Sequence, residues 1–345
     1  MATNQPATGN EQENKLATPE PTASERFMNM VTREFGSGVG EIALTDFQKR
    51  LAQNYFIALD ASLKDAEEKR KKVKIKNDKG LWVIKNELEI VWTHINMERL
   101  ARDVVSAARV GLDPAQKNHV AMTPFKNSVT NKYDIGFIDG YRGIELKAKK
   151  YGLDIPDAVT VELKYKTDVF EAIKKDKDHP TEAYIFKITD SFNRGEIEGG
   201  FYYHEYSQTP SKNKLVIFTL EDILKRKPKH APVEFWGGEK DVWETDENGK
   251  NKKTGTEHID GWHDEMCYKT VYRAAYNDIT IDSQKIDDDY LHLKKIERDL
   301  AEAQFEDEVK ENANTGPVIE AEANVHPDQP KDNPPPTNQP GRTPF

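Results

Sequence analysis

The sequence predicts an α+β fold, and three observations carry that prediction. Amphipathic helical stretches, period-two strands and further helices come in blocks, without the regular βαβ alternation that builds a parallel sheet. Short polar turns separate the strand-like segments, as antiparallel neighbours require. The chain has 345 residues, enough for one large or two ordinary domains, with no repeat of solenoid length and no apolar run long enough to span a membrane.

Residues 1–24 are rich in Thr, Asn, Gln, Glu and Pro, offer little apolar surface to offset the entropy of ordering, and are expected to be disordered. The stretch "TDFQKRLAQNYFIALDASLKDAEEKRKK" opens on a capping box, Thr45 with Gln48, and its Phe47, Leu51, Tyr55 and Leu59 recur every four residues on one helical face. Seven basic residues fall between Lys69 and Lys79, where a solvated helix end with a loop and a DNA-facing arm both fit. "NMERLARDVVSAARVGLDP" reads as a second helix with Leu100, Val104 and Ala108 on one side, stopped by Gly111 and Pro114. "HVAMTPF" and "YDIGFID" flank the polar "KNSVTNK", a β-hairpin pattern.

A helix is expected over 144–151, with Ile144, Ala148 and Tyr151 as its packed stripe and Gly152 as its stop. In "VTVELKYK" the apolar Val159, Val161, Leu163 and Tyr165 alternate with Thr160, Glu162, Lys164 and Lys166, a half-buried strand with one basic-leaning face. "EAYIFKIT", "GGFYYHEYS" and "KLVIFTL" are expected to continue that sheet, and "TLEDILKRK" to form a short capped helix. Residues 237–260, rich in Gly and charge, read as a long loop before the helix "WHDEMCYKTVYRAAYNDI". The core thus spans 25–280. Leu293, Ile296 and Leu300 mark a helical segment over 281–304, and an acidic tail with eight prolines after position 316 is expected to be disordered from 305 to 345.

The formal net charge is −10, but residues 281–345 hold 15 Asp and Glu against 7 Lys and Arg, leaving 45 against 43 for the rest. The body is therefore near neutral, and any basic patch on it acts locally, within the ~10 Å over which salt leaves charges visible. A single cysteine, Cys267, excludes an intramolecular disulfide and a cysteine-rich zinc site. The first residues lack the basic-then-apolar pattern of a secretion signal, so a cytoplasmic location is expected. No phosphate loop or dinucleotide fingerprint occurs, and "NGKNKKTG" has the composition of the former without its spacing. Nine histidines are scattered without H-E-x-x-H spacing. No cofactor or metal is expected, and work on nucleic acid would run without nucleotide hydrolysis.

Two constellations carry chemistry. In "DGYRGIELKAKKYG", Gly140 and Gly143 permit close backbone approach or positive φ around Tyr141 and Arg142, with Lys147, Lys149 and Lys150 following. Lysines near a helix C-terminus complement its dipole unaided; Arg142, at the positive N-terminal end, needs an anion, for which Asp139 and Glu145 compete with a phosphate. On the late helix, Cys267, Val271, Ala274 and Ala275 form a core stripe, while Lys269, Arg273 and Tyr276 form another face with Tyr272 beside it. Cations interleaved with rings suit a groove that tracks a nucleic-acid strand; an ordinary Glu265–Lys269 pair with core-packed tyrosines fits the same residues. Asp157, Glu162 and Lys164 raise the alternative of a Mg²⁺-dependent nuclease, although the four residues between the carboxylates are too few to close a hairpin.

Together these segments resemble the RecT family of phage and prophage single-strand annealing recombinases. "ARVGLDPAQKNHVAMTPFKN" is similar to the family's helix, Gly-Leu-acid-Pro and strand ending in Pro-Phe. "IGFIDGYRGIELKAKKYG" resembles its Gly-Tyr-Arg-Gly signature and basic helix, and "WHDEMCYKTVYRAA" its Trp…Glu-Met-x-x-Lys-Thr-x-x-Arg helix. The likeness covers roughly residues 40–280; the segments 64–80 and 237–260 have no counterpart in it. It implies a Rad52-like twisted sheet with a β-hairpin packed on helices, assembling into rings or helical filaments. It also implies ATP-independent annealing of single-stranded DNA through a duplex intermediate, beside a 5′→3′ exonuclease and a host single-strand-binding protein. The DNA-facing candidates it implies are Tyr141, Arg142, Lys147, Lys269 and Arg273, then Lys126, Asn127 and Lys132 on the hairpin; Lys149, Lys150, Lys164, Trp262 and Tyr272 complete the set. A protein-binding scaffold acting through its acidic tail is a third reading of the same chain.

Overall fold

In the computed structural model, which describes residues 20–36, 44–76, 79–228, 231–245 and 251–313, the first helix is α1 (Ala23–Gly36). The sequence reading missed it inside a polar stretch. Thr22 Oγ1 accepts from the Glu25 amide at 3.3 Å and Glu25 Oε2 accepts from the Thr22 amide at 2.7 Å, a reciprocal cap. Beyond the cap, Phe27 and Val31 are buried, and the Phe27 ring meets Phe56 and Trp92 at 5.6 and 5.9 Å. The earlier part of the segment expected to be disordered, 1–19, lies outside the described residues.

Helix α2 (Asp46–Lys72) carries the expected Thr45–Gln48 capping box. Leu51, Tyr55 and Leu59 are buried, whereas Phe47, in the first turn, is 63% exposed. The basic stretch that follows is partly spent at home: Lys69 pairs with Asp65, and Arg70 and Lys71 with Glu67. Strands β1 (Lys74–Lys76) and β2 (Trp82–Ile84) then pair antiparallel. Helix α3 (Met97–Val110) buries Leu100 and Val104 and stops at Gly111, whose φ is 102°. The predicted hairpin forms from β3 (Val120–Asn127) and β4 (Lys132–Asp139), and it packs on α2 through Tyr55 against Phe137 and a 2.7 Å bond from Ser62 Oγ to the Met122 carbonyl.

Helix α4 (Tyr141–Tyr151) starts three residues earlier than expected. Beyond it, β5 (Ala158–Tyr165), β8 (Ile197–Glu205) and β9 (Lys214–Thr219) form an antiparallel sheet in the order β5-β8-β9. The strands β6 (Val169–Ile173) and β7 (Ala183–Lys187) do not extend it. They form a separate hairpin over one face, where Phe170, Tyr184 and Phe186 close on the fully buried Phe201 at 4.7, 4.8 and 5.4 Å. The other face receives α5 (Leu220–Leu224), α6 (Val233–Trp236) and α7 (His263–Asn277) around Val161, Leu163, Ile223, Trp236, Cys267 and Val271. The stretch read as a loop pairs as β10 (Gly238–Thr245) with β11 (Asn251–Ile259); alternation in "KTGTEHI" accommodates the strand.

The described residues up to Ala303 make up one compact unit, and those from Gln304 on belong to a second. Helix α8 (Asp288–Ala313) runs past the point where the acidic tail was expected to begin, and residues 314–345 lie outside the described residues. Up to Leu300 it shares the core of α1–α3, through Tyr290, Leu293 and Ile296. A Cβ on Gly136 of β4 would fall 2.6 Å from the end of the Leu300 side chain, which would have to shift to admit it. Arg99 adds polar ties, reaching Asp134 at 2.9 Å and Asp299 at 2.6 Å, while His292 Nε2 meets Asp103 Oδ1 at 2.7 Å. The described residues form an α+β fold with small antiparallel sheets. No helix among the described residues is long and apolar enough to cross a membrane.

Candidate functional site

The corner that positions the site is made by the loop between α3 and β3. Asn118 has φ 62°, in the left-handed region that asparagine tolerates. That turn aims its carbonyl at the start of α4, where it accepts from the amides of Arg142 and Gly143 at 3.1 and 3.3 Å; the His119 carbonyl takes the Gly140 amide at 3.0 Å. A Cβ on Gly140 would lie 2.0 Å from the Asn118 oxygen, and one on Gly143 2.1 Å from the His119 oxygen. The two glycines therefore serve close approach and not positive φ, Gly140 having φ −72°. The first amides of α4 are consumed by the loop, so an anion here must be held by side chains and not by the helix terminus.

Because α4 begins at Tyr141, Tyr141 and Arg142 leave its first turn on diverging bearings, about 100° apart. They border two open grooves, as Lys117 and His119 do on the loop beside them. The first groove, about 440 Å³, is lined by His119, Arg142, Glu145, Leu146, Lys149 and Lys150. Lys149 is paired with Glu145 at 2.7 Å. Burial opposes ionisation of Glu145, but hydrogen bonds from Lys149 and from the Tyr272 hydroxyl (2.6 Å) outweigh it and hold the carboxyl below its ordinary value. Lys150 donates to the Arg109 carbonyl at 3.0 Å, near the negative end of α3, and has no carboxylate partner among the described residues. Arg142 is exposed, lies 5.8 Å from the Tyr141 ring, and has no ion pair among the described residues. This groove is net cationic.

The second groove, about 420 Å³, is walled by Tyr141, Tyr165 and Tyr268 and carries Lys117, Arg194 and Lys269 against Glu162, Asp264 and Glu265. Arg194 is held by Asp168 at 2.5 Å and lies 4.1 Å from the Tyr165 ring. The Tyr165 hydroxyl donates to Asp264 at 2.9 Å, and burial together with that carboxylate pushes it up to about 12. Burial raises the Glu162 carboxyl, with Arg194 opposing.

Helix α7 meets the corner from the other side. Tyr272 packs edge-on against Tyr141 at 5.0 Å, and Arg273 Nη1 reaches the Asp139 carbonyl at 3.2 Å. The structure thus brings Tyr141, Arg142, Lys149, Lys150, Tyr272 and Arg273 to one corner, with Lys269 in the neighbouring groove, paired to Glu265 at 3.1 Å.

Several candidates are corrected. Lys147 is 6% exposed and ion-paired to Asp139 of β4 and to Glu297 of α8, at 2.5 and 3.0 Å; it ties α4 to both elements and is buried between them. Asn127 builds the hairpin turn, accepting from the Val129 and Thr130 amides and donating to Asp134. Lys126 and Lys132 are exposed at the hairpin tip. Seven residues separate Lys132 from Asp139 along β4, so the tip is roughly 23 Å from the corner. Lys164 is committed to Glu198. Trp262, 62% exposed at the head of α7, borders neither groove. Tyr276, expected on the cationic face, is buried with its hydroxyl toward Glu145 at 3.3 Å.

The nuclease alternative meets a geometric obstacle. Asp157 and Glu162 lie five residues apart along one extended strand, roughly 16 Å, and an odd spacing puts them on opposite faces. One Mg²⁺ takes ligands at about 2.1 Å and cannot bridge that gap. Among the described residues no cluster of three His, Cys, Asp or Glu is arranged to hold a metal.

Lys117, His119, Tyr165, Tyr268 and Arg194 escaped the sequence reading. Tyr268 was legible, one helical turn before Tyr272; the others are assembled only by loop and hairpin packing. Two buried polar atoms at the corner, Asn118 Nδ2 and His119 Nδ1, have no hydrogen-bond partner among the described residues. Family models, curated proteins and solved structures yield no match to this chain.

Proposed function

We propose that the chain is a RecT-like, ATP-independent single-strand annealing protein that binds DNA backbones at the corner between α4 and α7. One observation carries the reading: Arg273 of α7 is bonded to the Asp139 carbonyl, three residues before Arg142 at the head of α4, so two exposed cations distant in sequence are tied to one corner that also holds a net-cationic groove and a row of tyrosines. Backbone contacts give affinity without sequence preference and leave base edges free to test pairing. Pairing supplies the downhill free energy, in keeping with a sequence that has no nucleotide-binding motif. A near-neutral body with a local patch gives a weak grip per subunit. In this reading oligomerisation along a strand multiplies that grip, and a register mismatch escapes because each contact is reversible. The cytoplasmic location, the exonuclease partner and the single-strand-binding protein belong to the same proposal.

The test is the rate at which two complementary dye-labelled oligonucleotides pair with the full chain, without ATP, at low salt. The expected result is acceleration that disappears in the Arg142→Ala/Arg273→Ala double variant. Pairing no faster than in buffer, or acceleration untouched by the double variant, overturns the proposal.

A further inference from the structure

The two grooves beside the Tyr141–Arg142 ridge differ in chemistry, and only the first suits a phosphate. In the second, three carboxylates face three cations, and two of those cations are already engaged, Arg194 by Asp168 and Lys269 by Glu265. Only Lys117 is left without an ion pair among the described residues. A polyanion gains nothing by entering. The groove is instead walled by three tyrosines, Tyr141, Tyr165 and Tyr268, with hydrogen-bonding groups of both polarities along its lining.

We infer that the second groove takes an unpaired nucleobase from the strand whose phosphates lie in the first, so that a single nucleotide straddles the Tyr141–Arg142 ridge. This rests on the proposed strand binding and deepens it. A base is flat, neutral and edged with N–H donors and carbonyl acceptors, which the mixed lining meets without preferring one base. Glu162 and Asp264 accept from exocyclic amines, and Lys117 donates to base carbonyls. The wall is rigid before any ligand arrives, because Tyr165 is fixed between the Arg194 guanidinium at 4.1 Å and the Asp264 carboxylate at 2.9 Å. Tyr268 leans on Tyr272 at 5.8 Å, and Tyr272 on Tyr141 at 5.0 Å, so the rings stand on one packed row and lose little freedom on binding. A base stacked in this groove is held back from pairing, while its neighbours on the strand keep their edges free. The site therefore distinguishes single strands from duplex and must release its base as pairing proceeds.

The experiment compares a thymidine 20-mer with an abasic strand of equal length, which has the same phosphates and no rings, by fluorescence anisotropy with the full chain. The expected result is a thymidine preference of roughly 5- to 150-fold, the worth of one stacked base. Tyr268→Leu should remove most of that preference while leaving abasic affinity unchanged, and Tyr268→Phe, which keeps the ring, should retain it. Equal binding of both strands by the unaltered protein overturns the inference and leaves backbone binding standing. So does a Tyr268→Leu loss that falls on both strands alike. Binding of neither strand overturns both proposals.

Discussion

Arg273 on α7 donates to the backbone carbonyl of Asp139, 3.2 Å away, the last residue of β4 before the Gly140 corner. One of five guanidinium N–H groups is spent on this bond. The bond fixes where the cation stands, and a carbonyl, being neutral, leaves the charge undiminished. Arg142 lies three residues beyond that carbonyl and carries no ion pair among the described residues. Two guanidinium groups thus lack a carboxylate partner among the described residues, and the fold fixes where one of them stands.

If both hold phosphates, their effect is measurable as salt dependence. Each phosphate neutralised on a single strand contributes about 0.7 to the slope of log affinity against log salt. Arg142→Ala and Arg273→Ala should each flatten the slope by roughly that amount, equally for purine and pyrimidine strands. A slope unchanged by either substitution, or a loss confined to one base composition, removes these residues from the backbone contact.

Lys147 makes the opposite case, that of a cation the fold has used up. It sits between Asp139 and Glu297, and burial pushes the Asp139 carboxyl above its ordinary value while its attraction to Lys147 pulls the other way. Lys147→Met strands the Asp139 carboxylate in a poorly hydrated site, while Glu297 keeps its pair with Lys294. The expected loss is about 3–5 kcal/mol in urea unfolding, the cost of breaking a buried pair from one side. Adding Asp139→Asn should recover part of it. A variant of undiminished stability that has lost oligonucleotide binding would return Lys147 to the interface.

What the sequence made legible, and what it did not, follows from the range of the interactions involved. Local rules located the Thr45 cap, the Gly111 stop, the β3–β4 hairpin and the core stripe of α7, because each is decided within one or two turns of chain. The same rules contained α1, whose Thr22–Glu25 cap was masked by polar neighbours. Gly140 and Gly143 stood out as a corner, but what approaches them, the Asn118 and His119 carbonyls, depends on how the preceding loop folds back. Lys147, Lys149 and Lys150 look alike in sequence, yet the first is buried by an acid 150 residues away. The tyrosine-walled groove needed β5, α7 and the Arg194 loop together, so no single segment announced it.

Glu162 supplies a pH test of that groove. Burial raises its carboxyl above the ordinary value, so the folded chain holds the proton more tightly than the unfolded chain does. Its contribution to stability is therefore complete below the unfolded value, about 4.3, and is lost as pH rises through the folded one. Glu162→Gln removes that loss. The variant should melt together with the original protein near pH 4 and above it at pH 7, by less than about 1 kcal/mol, since the half-exposed carboxyl is screened by water. The same substitution makes the groove less acidic, so affinity for the thymidine strand at pH 7 should rise, while at pH 4 the two proteins converge. A melting difference that is the same at both pH values would mean that the Glu162 carboxyl titrates alike in the folded and unfolded chains, and that its burial against Arg194 and Tyr268 carries no electrostatic cost.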